Sequence, residues 1–281
     1  MSIQTSVGPA NVLHRLALGV ECIDATADRV AATLVWAGRQ APVLRLPRGY
    51  DKAWPCIDLE RSDTGRFRLR HQRLLPEKFV LRVDDPARRF VPRRFDVQLW
   101  SAADVDDNSG NPYVPVRSRL LRPWLLPGSA YQFSRGTTVI RGRVASNGNP
   151  VRWARIFAAA APMQLAGYAH ADDRGEFVLV ISDPDQNPVQ STVDVDLYIS
   201  APDPKHPVPV DPDDRCADLL IEPIPRSSVP PLAGDLDNPV LRGQVVPGSY
   251  VPSAANPPPH FAVPMGAELI VPTDIVFEPP P

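Results

Sequence analysis

Thr138-Val139-Ile140-Arg141-Gly142-Arg143-Val144, then Ser146-Asn147-Gly148-Asn149, then Pro150-Val151-Arg152-Trp153-Ala154-Arg155-Ile156, is the stretch on which the fold class turns. Two apolar runs are joined by an Asn-Gly turn, the strongest short-range signal for a β-hairpin. Gly148 supplies the positive φ that such a turn needs. Pro150 opens the second run where no backbone donor is required. Downstream, Gly167–Asp172 and Gly175-Glu176-Phe177-Val178-Leu179-Val180-Ile181 continue the pattern, with Asp172 placed to close an Asx turn and Gly175 to reverse the chain. Thr192–Ile199 alternates, so Val193, Val195, Leu197 and Ile199 are expected inside. Cys216–Ile221 reads as the last strand of this unit.

Outward from this stretch, toward the N-terminus, short apolar runs recur at Arg15–Ile23, Ala32–Trp36, Pro42–Leu46, Cys56–Glu60, Arg66–His71, Lys78–Val83 and Phe95–Trp100. Turn residues separate them, and strands spaced about ten residues apart argue for a sandwich or barrel. No helical period of 10–15 residues alternates with them, which excludes an α/β fold. The reading is an all-β chain with two β-sandwich domains in tandem. Residues 1–12 form an N-terminal arm, 13–111 a sandwich or barrel, 112–136 a connector, 137–222 a second sandwich, and 223–281 a proline-rich extended arm. Of 35 prolines, 15 fall in residues 1–200 and 20 in residues 201–281, which excludes a helical C-terminal domain or a coiled coil. The apolar pieces Val240–Val246 and Ala267–Phe277 argue against disorder throughout that arm. An extended segment of this kind adds strands to its own body or to a neighbour.

Gly142, Val144, Gly148, Pro150, Val151, Ala154, Ile156, Asp172, Gly175 and Phe177 match a known pattern of a strand ending G-x-V, a G-x-P-V-x-x-A-x-V turn and strand, and D-x-x-G-x-F. Residues 137–222 on this basis resemble the carboxypeptidase regulatory-like domain, a transthyretin-like β-sandwich. Ala171 stands where that family usually has Thr, which removes a hydroxyl from the turn. The resemblance implies a non-catalytic domain. The run Phe79–Phe95 also resembles proteins of contractile phage-tail-like injection systems. Together these imply a non-enzymatic structural subunit of such a particle, at a baseplate, collar or cap, an inference by analogy of fold rather than from a site.

Charge points the same way. Residues 1–155 carry 25 Lys and Arg against 14 Asp and Glu, whereas residues 156–281 carry 5 against 18. Opposite poles suit association with copies of the chain and with other particle subunits. Nucleic acid is disfavoured, because the arginines alternate along apparent strands, as in Arg66-Phe67-Arg68-Leu69-Arg70, and no phosphate loop accompanies them. Arg88, Arg89, Arg93 and Arg94 are expected to face acidic partner surfaces. Leu269, Ile270, Val271, Ile275, Val276 and Phe277 are expected to add strands to neighbours.

Tests for chemistry find little. His14, His71, His170, His206 and His260 show no metal-ligand spacing, and neither G-x-S-x-G nor C-x-x-C occurs. Asp104-Val105-Asp106-Asp107-Asn108-Ser109-Gly110 begins like a calcium loop, but its glycine falls one position late and Pro115 stands at the twelfth place. Asp211-Pro212-Asp213-Asp214 reads as a polar loop. No cofactor or metal is expected. Cys22, Cys56 and Cys216 read as free buried thiols, and Met1–Val7 lacks the basic and apolar regions of a secretory signal, so synthesis in the cytoplasm without a membrane span is expected. The alternative function is a glycan- or cell-surface-binding module, with Trp54 and Trp124, each next to a proline, as stacking platforms.

Overall fold

The computed structural model describes residues 16–31, 35–40, 56–71, 75–101, 103, 114, 116–160, 164–182, 191–224 and 238–281. The chain is almost all β, as expected. Helical structure among the described residues is one 3-10 turn, Val116–Arg119, and one α-helical turn, α1 (Pro239–Arg242). No helix there is long and apolar enough to cross a membrane.

The first unit contains β1 (Leu16–Val20), β2 (Ile23–Asp24), β3 (Arg29–Val30), β4 (Trp36–Gln40), β5 (Cys56–Asp58), β6 (Glu60–Arg61), β7 (Phe67–Arg70), β8 (Lys78–Asp84) and β9 (Arg93–Gln98). In β7, Phe67 and Leu69 face the core while Arg68 and the preceding Arg66 face solvent, as a half-buried strand requires. β10 (Leu120–Leu121) runs parallel to β1, and β11 (Trp124–Leu125) runs parallel to β2. Residues 112–136 are therefore more than a connector: Leu125 and Leu126 are buried and draw the segment onto the first unit. The N-terminal arm, Pro42–Leu46 and the acidic loop 104–111 lie outside the described residues.

The second unit contains β12 (Val139–Ser146), β13 (Asn149–Pro150), β14 (Arg155–Ala160), β15 (Gln164–His170), β16 (Glu176–Val180) and β17 (Thr192–Pro202). β12 pairs with β16, and β14 lies between β15 and β17. Ile140, Val144, Phe177 and Leu179 from one sheet share a core with Ile156, Ala158, Val195 and Leu197 from the other. Asn147 and Gly148 have φ of 51° and 77°, with Ser146 opposite Asn149, which is the two-residue turn anticipated above. Gly175, at φ 73°, leaves no room for a side chain, since a Cβ there would stand 2.5 Å from the Val144 carbonyl oxygen.

Two expectations change. Cys216–Ile221 is mostly turns, and β18 (Ile221–Pro223) pairs in parallel with β9 of the first unit. A boundary at residue 222 thus falls inside a strand of the first unit's sheet. Residues 223–281 are also no free arm. β19 (Tyr250–Pro252) and β20 (His260–Pro264) pair with β17, while β21 (Glu268–Ile270) and β22 (Ile275–Val276) run parallel to β12. The physical reason is that β12 and β17, 8 and 11 residues long, would otherwise present open edges. Pro252 ends β19 and Pro264 ends β20.

Candidate functional site

The most highly organised group of polar residues lies where the two units meet. β18 carries Glu222 into the interior, where it is 4% exposed. Its carboxylate accepts from Arg93 Nε at 2.9 Å and Nη2 at 2.8 Å, and Arg155 Nη2 stands 3.5 Å away. Arg93 also donates to the carbonyls of Trp124 at 2.9 Å, Leu241 at 2.6 Å and Val240. One guanidinium thereby ties β9, β11, β18 and α1 together. Buried His170 closes the group. Its Nδ1 faces Arg155 Nη1. Nε2 donates to the Gly243 carbonyl at 2.8 Å.

A second cluster lies beside it. Arg82 donates to both Asp214 oxygens at 2.8 and 2.9 Å and to Asp84 at 3.1 Å. Arg215 returns the contact, donating to Asp84 at 2.5 Å. Arg88 reaches Asp173 at 2.6 Å and Asp172 at 3.1 Å, while Arg152 holds Asp218 at 2.5 and 2.7 Å. The basic and acidic halves of the sequence thus meet within one chain, as a seam between its units.

Burial pushes the Glu222 carboxyl up, but Arg93 and Arg155 outweigh it and hold the group below its ordinary range. Asp173 follows the same pattern, with Arg88 outweighing its burial. Burial lowers Arg155, and Glu222 opposes that shift. Burial pushes the thiols of Cys22 and Cys216 to about 12, so neither is a nucleophile at neutral pH. Arginines, paired carboxylates and protonated thiols hold structure rather than transfer protons. Carboxylates held low stabilise the fold fully above the ordinary carboxylate value, and lose that effect as pH falls through their depressed values. Acid titration followed by near-UV circular dichroism should therefore show the seam loosening only below about pH 4. A transition centred near neutrality would contradict this account of Glu222 and Asp173.

The residues singled out from sequence are placed differently from the expectation. Arg93 and Arg94 are 1% and 7% exposed, and Arg94 donates to the carbonyls of Cys216, Ala217 and Leu219. Arg88 is engaged by Asp172 and Asp173, and Arg89 by Asp85. All four arginines face carboxylates or carbonyls of their own chain, because the seam supplies inside the molecule the acidic surface expected from a partner. Leu269, Ile270, Val271, Ile275, Val276 and Phe277 lie in or beside strands on β12. Ile275 and Phe277 are buried, while Ile270 and Val276 are exposed. Trp124 is half-buried with the Arg242 guanidinium 4.8 Å from its ring centroid, so that face is covered, and Trp54 lies outside the described residues. Cys22 and Cys216 are free and buried; the side chain of Cys56 and the loop 104–110 lie outside the described residues. Asp214 of the second acidic loop pairs with Arg82, and among the described residues no His, Cys, Asp and Glu group has the arrangement of a metal site.

Sequence reasoning missed the roles of Glu222, Arg155 and His170. Glu222 did leave a trace, as a lone charge in Leu219-Leu220-Ile221-Glu222-Pro223-Ile224. A carboxylate in an apolar run is buried only with a partner. That partner, Arg93, is distant in sequence and has no local signature.

A cleft of about 690 Å³ lies near the seam, lined by Arg94, Asp203, His206, Asp218, Ser249 and Tyr250 among others. Asp218 is held by Arg152, Tyr250 donates to the Trp153 carbonyl at 3.1 Å, and burial pushes the Tyr250 phenol to about 12. No activated acid–base pair converges there.

No family model matches the chain, and no curated protein matches it. Among solved structures, the TIE protein of Bacillus anthracis aligns at 10% identity and a TM-score of 0.22, over 67% of this chain and 28% of that one. A candidate adhesin from Bacteroides ovatus aligns at 7% identity and a TM-score of 0.19, over 66% of this chain and 78% of that one. The chain spans less than a third of the length of the first of these. Likenesses at these scores carry no argument about fold or role.

Proposed function

We propose that the chain is a non-enzymatic assembly subunit of a phage-tail-like particle, situated at a baseplate, collar or cap. The observation that supports this reading is the seam. Arg82, Arg88, Arg93, Arg152 and Arg155 engage Asp214, Asp173, Glu222 and Asp218 to join two β units, and no residue there is poised for reaction. Such a joint suits a part that transmits load between neighbours. Deleting the gene in a producing cell should give particles with incomplete ends in negative-stain micrographs. Complete particles of normal length, or the absence of any particle from wild-type cells, would remove the proposal.

The glycan-binding alternative finds less support, because Arg242 covers one face of Trp124.

A further inference from the structure

Away from the seam, the described residues include exposed charge of opposite sign on two different sheets. On β7 and beside it, Arg66, Arg68 and Arg70 have side chains 57%, 50% and 28% exposed. Arg66 and Arg122 share Glu21 at 2.6 and 2.7 Å, and Arg68 and Arg70 share Glu60 at 2.8 and 2.9 Å. Four guanidiniums on two carboxylates leave a positive excess. Because alternate residues of one strand carry the row, its charges repeat about every 7 Å.

The outer face of β17 carries the opposite sign at the same repeat. Asp194 and Asp196 have side chains 67% and 43% exposed, followed by Tyr198 at 40%. Phe157 stands opposite Tyr198 across the sheet, and His260 stands opposite Asp196. His260 lies 2.9 Å from Asp196 and 3.7 Å from Asp194; even as a cation it leaves the two carboxylates a negative excess. Carboxylates pair with guanidiniums.

We propose that copies of this chain associate head-to-tail, the Arg66-Arg68-Arg70 row of one copy docking on the Asp194-Asp196 row of the next. The proposal rests on the reading of the chain as an assembly subunit and names the surfaces that subunit uses. Equal repeat and opposite sign set the register of the contact. Because the rows are different surfaces of one molecule, the contact is heterologous, and it propagates unless the rotation closes a ring.

The test is sedimentation velocity of the full chain at about 50 mM and about 500 mM salt, conditions that bracket the screening length of such a contact. The wild type should form dimers and larger species at low salt and disperse at high salt. Arg68→Glu with Arg70→Glu, and separately Asp194→Arg with Asp196→Arg, should each weaken association at least ~tenfold. An equal mixture of the two variants should associate again, since each altered row now complements the other protein. That recovery also shows that both variants are folded. Monomers at low salt, variants that associate like wild type, or a mixture that stays dispersed would overturn the proposal. So would Arg68- and Arg70-dependent binding of heparin without self-association, which assigns the row to a polyanion. Wild type that enters particles, with both charge-reversed variants associating as it does, discards these surfaces and keeps the assembly reading. Wild type absent from particles discards both.

Discussion

Truncation after Ile224 should leave a chain that no longer folds cooperatively. The lost segment carries Val263, Ile275 and Phe277 into the core of the second unit and Leu241 into that of the first, each 4% exposed or less. At roughly 1.5–3 kcal/mol per fully buried side chain, these four contribute about 6–12 kcal/mol. That is comparable to the entire stability of a typical domain, about 5–15 kcal/mol. Removal also uncovers an edge of β12 and an edge of β17 over most of their lengths. Guanidinium unfolding followed by tryptophan fluorescence should show the broad, early transition of a partly folded chain. A truncated protein that kept the wild-type midpoint would show that residues 225–281 are an appended arm after all.

The second large effect is expected at Glu222. Glu222→Ala leaves Arg93 and Arg155 facing each other across a buried gap without their carboxylate, and breaking a buried pair in this way costs about 3–5 kcal/mol. Glu222→Gln keeps the shape and one acceptor, so its cost should be smaller. Arg93→Met combined with Glu222→Leu should recover only part of the loss, because Arg93 also satisfies the carbonyls of Trp124, Val240 and Leu241. Urea denaturation of the three variants checks the order. A loss below about 1 kcal/mol for Glu222→Ala would place the pair among solvated surface bridges.

The fold class was readable because its signals are local. Alternation in Thr192–Ile199 and Phe67–Arg70, the Asn147-Gly148 turn and the Gly175 reversal each depend on neighbours a few residues away. The partnership of elements was not readable on the same terms. An apolar run such as Leu269-Ile270-Val271 does not say whether it covers its own sheet or another molecule's. Leu269 and Ile275 lie on β12 because β12 had an open edge, a fact of arrangement in space. The arginines show the same limit. Arg68 and Arg93 look alike in sequence, yet one faces solvent and the other is buried beside Glu222. The difference lies in a strand 129 residues away.

That distant strand has a consequence for how the protein is made. β9 ends at Gln98, and its parallel neighbour β18 is complete only at Pro223. At about 5–20 residues per second, the ribosome needs roughly 6–25 s to supply it. Throughout that interval the edge of β9 is unpaired and the Arg93 charge lacks its carboxylate. Folding of the N-terminal half therefore finishes after most of the C-terminal half has emerged, and this half is a poor candidate for expression alone. A nascent chain stalled between these strands should be the species most prone to aggregation and most dependent on chaperones.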